Sequence, residues 1–180
     1  MKHVLIVLIL VLFIPVLLIS LLKVPISRAE TLKPLRLLVQ LFCPPKDLFE
    51  FVMDRNIDIA KMDDIQTFEF KIKYVGPYSI GILLDNFSKD LYRKKYELKL
   101  RLKLDFYSDG ALLTSKETTD DYTPFFGKRG NGFILSDFIS PEEIPLDKKI
   151  TCKLTIIAPD RELYSKYAPI KLYIQKMSEE

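Results

Sequence analysis

One histidine, two cysteines and a scatter of carboxylates are the reactive side chains that this sequence offers for chemistry. The histidine, His3, stands at the extreme N-terminus. A serine or cysteine nucleophile elsewhere therefore has no imidazole to take its proton. Zinc held by histidines is excluded on the same ground. Carboxylate pairs remain, and glycoside hydrolysis needs only two at the right separation. Asp63-Asp64 and Asp120-Asp121 are the candidates. Both lie in turn-like polar segments, where adjacent acids are ordinarily solvated. The glycine-rich run Gly127-Lys128-Arg129-Gly130-Asn131-Gly132 lacks the residue order of a phosphate loop and opens no clear helix. Glu117, Asp120 and Asp121 match no EF-hand spacing. The expectation is a protein that is not an enzyme and uses no metal or cofactor.

Binding is the alternative to catalysis. Glu117 to Phe133 reads ETTDDYTPFFGKRGNGF, a long polar loop carrying Tyr122, Phe125, Phe126 and Arg129. Aromatics and arginine are favoured anchors at protein interfaces, and loops on a rigid scaffold carry recognition. The competing reading has Phe125 and Phe126 capping the open end of a core. Cys43 and Cys152 could form one disulfide in an oxidising compartment, which the chain-entropy model values at roughly 4–5 kcal/mol. The alternative is two buried free thiols. Asn86-Phe87-Ser88 is a glycosylation sequon, meaningful only in a glycosylating secretory pathway.

Val4 to Leu22 is a run of 19 residues without a charge. A helix rising about 1.5 Å per residue needs about 20 residues to cross a bilayer. Pro15 is tolerable in such a helix. An uncleaved anchor is favoured, with residues 1–23 as the membrane segment and 24–34 as a proline-containing tether. Ser27-Arg28-Ala29 would also suit cleavage of a signal peptide. Lys23, Arg28, Lys33 and Arg36 follow the span and only Lys2 precedes it. Counted literally, the positive-inside rule opposes export. The short basic leader resembles an export signal, so the expected location is the periplasm or outside, on a single-pass plasma-membrane anchor.

Of the 27 basic residues, Lys2 and Lys23 fall in the first 23 positions, leaving 25 against all 24 acidic residues and a net charge of +1 for the remainder. That balance lacks the concentrated positive footprint of a nucleic-acid binder. The row Lys99, Arg101, Lys103 reads as the solvated side of a strand.

The elements that would position these residues are mostly strands. Tyr96 to Phe106 alternates apolar with charged residues, which puts one face on a core and the other in water. Ser108-Asp109-Gly110 supplies a hairpin turn, and Ala111 to Lys116 returns. Thr67 to Tyr74 and Tyr78 to Leu84 alternate around Gly76-Pro77, which predicts a second hairpin. Leu35–Phe42, Ile57–Ala60, Gly132–Asp137, Lys149–Ile157 and Ile170–Met177 read as further strands. Asp47–Asn56 reads as a short helix, Ser140-Pro141-Glu142-Glu143 as a helical turn, and Ala158 to Glu162 as a polar turn. An all-β antiparallel sandwich over residues 35–180, immunoglobulin-like or jelly-roll, is the economical arrangement.

The stretches TFEFKIKYVGPYSIGILLDNF and ITCKLTIIAPDRELYSKYAPIKLYIQKM resemble the strand pairs of small bacterial envelope proteins that carry an N-terminal anchor and a periplasmic β-sandwich. Immunity proteins against antibacterial effectors are among them. The resemblance covers most of residues 57–177 and implies tight binding of one secreted toxic protein. It supplies no catalytic residues. An envelope assembly component and a carbohydrate-binding domain are the competing functions. The absence of tryptophan weakens the carbohydrate reading.

Overall fold

The structure, a computed structural model, describes residue 40, residues 44–85, 97–127 and 130–177. The chain divides into two compact units, Met1–Pro45 and Lys46–Glu180. The expected membrane segment, tether, Leu35–Phe42 strand and sequon lie outside the described residues, apart from Gln40, which is helical. Among the described residues, no helix is long and apolar enough to cross a membrane.

Among the described residues, the second unit is built from nine strands: β1 Phe51–Ile57, β2 Ile65–Lys71, β3 Gly76–Leu84, β4 Arg101–Ser108, β5 Ala111–Glu117, β6 Thr123–Gly127, β7 Gly130–Ser140, β8 Lys149–Ala158 and β9 Ile170–Lys176. One short helix, α1 (Arg161–Tyr167), precedes β9. The strands form two antiparallel sheets, a five-stranded one ordered β1-β9-β3-β7-β6 and a four-stranded one ordered β2-β8-β4-β5. Side chains from both sheets fill one core, including Leu104, Phe106 and Cys152 from one and Ile80, Phe138 and Leu172 from the other. This is a β-sandwich.

The β4–β5 hairpin matches its sequence signal. Asp109 and Gly110 both have positive φ (51° and 80°), the conformation that suits a tight two-residue turn. Leu102, Leu104 and Phe106 are fully buried, whereas Arg101 and Lys103 are exposed. Two members of the basic row are ion-paired: Arg101 contacts Glu117 at 2.5 Å and Lys103 contacts Asp105 at 3.4 Å.

Four local expectations are corrected. β2 and β3 do not pair; β2 lies beside β8, and β3 lies between β7 and β9. The Gly76-Pro77 region is an arch between sheets, anchored by buried Ile72 and Val75, because both faces of β3 must be covered. Residues 47–56 form a turn followed by β1 rather than a helix. The connection after Ala158 contains α1, whose N-cap Asp160 accepts from Leu163 N–H at 2.9 Å. The region from 117 to 133 is not a loop throughout: β6 and the start of β7 form a hairpin at the edge of the larger sheet.

Candidate functional site

The aromatic residues expected to bind have been distributed by this hairpin to different surroundings. Tyr122 is half-buried, edge-on to Phe133 with centroids 5.3 Å apart, and its hydroxyl accepts the Leu98 N–H at 3.2 Å. It therefore closes the core. Phe125 faces the outer side of the larger sheet, where its ring lies 5.3 Å from Tyr173. Phe51 flanks the same tyrosine from the other side at 5.5 Å. A glycine makes room for this aromatic row. A Cβ on Gly81 would lie 2.6 Å from the Tyr173 ring and 2.2 Å from the Phe133 carbonyl oxygen. Burial pushes the Tyr173 phenol above its ordinary pKa, and a Ser79 hydrogen bond partly offsets that. Phe126 is 39% exposed at the hairpin, and Arg129 lies outside the described residues.

The two cysteines have separate standing. Cys152 is a free, fully buried thiol between β2 and β4, its pKa pushed up to about 12 by burial, with the Asp105 charge adding to the effect. Such a thiol is inert at neutral pH. Cys43 lies outside the described residues.

In the candidate carboxylate pairs, the Asp64 side chain and the Asp63 and Asp121 backbones have structural partners. Asp63 takes a positive φ of 58° and donates its N–H to the Ile156 carbonyl at 2.8 Å, while Asp64 Oδ2 accepts from Gln66 Nε2 at 2.9 Å. Asp120 and Asp121 are exposed, with the Asp121 N–H donated to Thr119 Oγ1 at 3.3 Å. Among the described residues, no group of three or more histidine, cysteine or acidic side chains is placed to hold a metal ion.

A site that the sequence did not announce lies where β1 and β2 border the same side of the sandwich. Asp47, Leu48, Glu50, Phe51, Lys73 and Tyr74 are among the residues that line a cleft of about 130 Å³. The Tyr74 hydroxyl donates to Asp47, and Lys73 Nζ donates to the same carboxylate at 2.9 Å. These two bonds, the tyrosine's first, hold the Asp47 carboxyl below its usual range. Burial, followed by the Asp47 bond, pushes Tyr74 up to about 12. Tyr78, fully buried, donates its hydroxyl to the Tyr74 carbonyl at 2.8 Å, joining the cleft to the core. A carboxylate held ionised by an ammonium and a phenol suits charge pairing better than proton transfer near neutrality. The apolar wall of Leu48 and Phe51 beside that polar cluster suits an inserted side chain.

Exposed apolar side chains stand at the other end of β2. Met62 and Ile65, just before and at the start of the strand, are 62% and 60% exposed. Leu112 and Leu113 are exposed on β5, at the opposite edge of the four-stranded sheet.

No family model and no curated protein matches the chain. Among solved structures, it is similar to a crystal structure of a protein from Sulfurospirillum deleyianum. The two share 9% sequence identity at a TM-score of 0.47, over 71% of this chain and 98% of the other.

Proposed function

We propose that the chain is a membrane-anchored protein-binding module exported from the cytoplasm, with residues 4–22 as its anchor. The observation that carries the binding reading is the edge strand β2, which has exposed Met62 and Ile65 at its start and, at its other end, a cleft with an apolar wall and a charged rim. Apolar side chains displayed beside polar, hydrogen-bonding groups are the usual composition of a protein interface. The strand order supports the jelly-roll form of the sandwich rather than the immunoglobulin form. β1-β9-β3-β7 and β2-β8-β4-β5 interleave early and late strands as two nested Greek keys do, with β6 added at one edge. The resemblance to immunity proteins narrows the inferred partner to a secreted effector, and the charge balance supports a protein rather than a nucleic acid.

The test is affinity purification of the tagged full chain, solubilised from membranes and mixed with secreted and envelope proteins of the source cell and its relatives. The reading predicts one soluble protein in a stoichiometric complex that re-forms from purified components. A set of membrane proteins would replace it with an envelope assembly role. Failure of any protein to re-form a complex, with saturable binding of an oligosaccharide, would replace it with a carbohydrate-binding role.

A further inference from the structure

Each sheet of an open sandwich has two edges, and an edge strand presents a row of backbone N–H and C=O groups that template further pairing. Three of the four edges here carry an obstruction. β1 is bulged between Phe51 and Met53. β6 contains Pro124, which lacks an N–H. β5 is bulged opposite Phe106 and Tyr107, and Lys116, which shares the inward face with Leu104, is ion-paired to Glu143. β2 has none of these. Its seven residues hold an unbroken register with β8 from Ile65 to Lys71, and β8 is its one strand partner among the described residues.

The direction of the backbone groups on β2 follows from bonds elsewhere in the sheet. Leu102 gives its N–H to Thr118 Oγ1 at 2.9 Å and accepts the Thr118 N–H at 2.9 Å, so Leu102, Leu104 and Phe106 face β5. In an antiparallel ladder successive residues alternate sides. Lys103, Asp105 and Tyr107 therefore face β8, and Ile150, Cys152 and Leu154 face β2. The Ile156 N–H bond to the Asp64 carbonyl, 3.2 Å, agrees with that phase. It follows that Gln66, Phe68 and Phe70 pair with β8, whereas Ile65, Thr67, Glu69 and Lys71 direct their N–H and C=O groups away from the sheet.

We propose that this edge of β2, unpaired among the described residues, docks an extended segment of the partner protein, which adds to the four-stranded sheet as a new outer strand. The inference rests on the protein-binding reading and specifies its surface and mode. Backbone groups supply the affinity of such strand addition, and alternate side chains supply the selectivity. On the outer face the added strand meets Ile65, Thr67, Glu69 and Lys71 in turn. Ile65 favours an apolar neighbour; Glu69, which also pairs with Lys149 at 2.8 Å, favours a basic one, and Lys71, which also pairs with Asp147 at 3.8 Å, an acidic one. On the other face it meets half-buried Phe68. The cleft lined by Lys71, Lys73 and Tyr74 lies at the far end of β2, where it receives a terminal side chain of the added strand.

The experiment uses the full chain in detergent micelles and a labelled synthetic peptide of alternating valine and threonine, with lysine and glutamate spaced to face Glu69 and Lys71. A copy N-methylated on alternate residues is the control. Thr67→Pro removes one outward N–H without touching the β8 ladder. Ser115→Pro makes the matched change on β5. The proposal predicts saturable binding and slowed hydrogen exchange confined to residues 65–71. Thr67→Pro should weaken binding about tenfold or more, N-methylation should abolish it, and Ser115→Pro should leave it unchanged. Equal binding by wild type and Thr67→Pro, protection elsewhere, or no binding of the peptide would overturn the edge. Concentration-dependent protection of residues 65–71 without peptide would assign the edge to a second copy and overturn the partner assignment. The wider protein-binding reading is judged separately, by whether the purified complex of the preceding section re-forms.

Discussion

Tyr122 shows how an aromatic residue that looks like a binding anchor serves packing instead. Its ring is edge-on to Phe133, and its hydroxyl is bonded to the Leu98 N–H. Tyr122→Phe keeps the ring contact but orphans that N–H, so denaturant unfolding should report a loss of roughly 1–2 kcal/mol with partner binding unchanged. Gly81 is a sharper case. A methyl group there would meet the Phe133 carbonyl oxygen at 2.2 Å, and backbone cannot move aside as a side chain can. Gly81→Ala should destabilise by ~3 kcal/mol, measured the same way. Asp47 adds a pH dependence. Its folded pKa is depressed by Tyr74 and Lys73, so its stabilising contribution is complete above the ordinary carboxylate value of 3.8 and is lost as pH falls through the lowered one. Asp47→Asn should flatten that part of the acid unfolding curve, followed by tyrosine fluorescence.

The strands differ in how much of their role was legible. β4 and β5 could be read closely, because strict alternation and an Asp-Gly turn specify a hairpin through local geometry alone. Leu100 is buried just ahead of β4, as the alternation implies. Leu100→Asp places an unpaired charge in the core and should abolish cooperative thermal unfolding. The β2–β3 arch was misread, because alternating runs around Gly-Pro look the same whether the strands pair or cross between sheets. The distinction lies in distant partners, β8 for one strand and β7 and β9 for the other. The helix α1 was read only as a polar turn, and its N-cap is Asp160. That carboxylate accepts both the Leu163 N–H and the Lys99 N–H, tying the helix to the approach to β4. Asp160→Ala should therefore cost about 1–2 kcal/mol, somewhat more than a solvent-exposed cap.

Architecture and candidate site separate most clearly over the molecule as a whole. A two-sheet sandwich follows from many short alternating segments, because each must bury one face. The cleft at Asp47 and the edge of β2, unpaired among the described residues, could not be read, since they depend on which strands end each sheet and on which edges are obstructed. The places of Phe125 and Phe126 were set by the β6–β7 pairing, which no local pattern announces. The outer face of the larger sheet is lined by Tyr173, which is almost fully buried. The open border of the four-stranded sheet is where the account locates binding.

Site-specific photo-crosslinking in living cells separates that border from the other edges. A photoreactive residue is placed in the full chain at Thr67, at Ser115 or at Phe126, and adducts are identified by mass and sequence. The account predicts one discrete protein adduct at Thr67, lost when Glu69 is also changed to lysine, with little product at Ser115 or Phe126. Adducts concentrated at Ser115 or Phe126, or no protein adduct at Thr67, would contradict it.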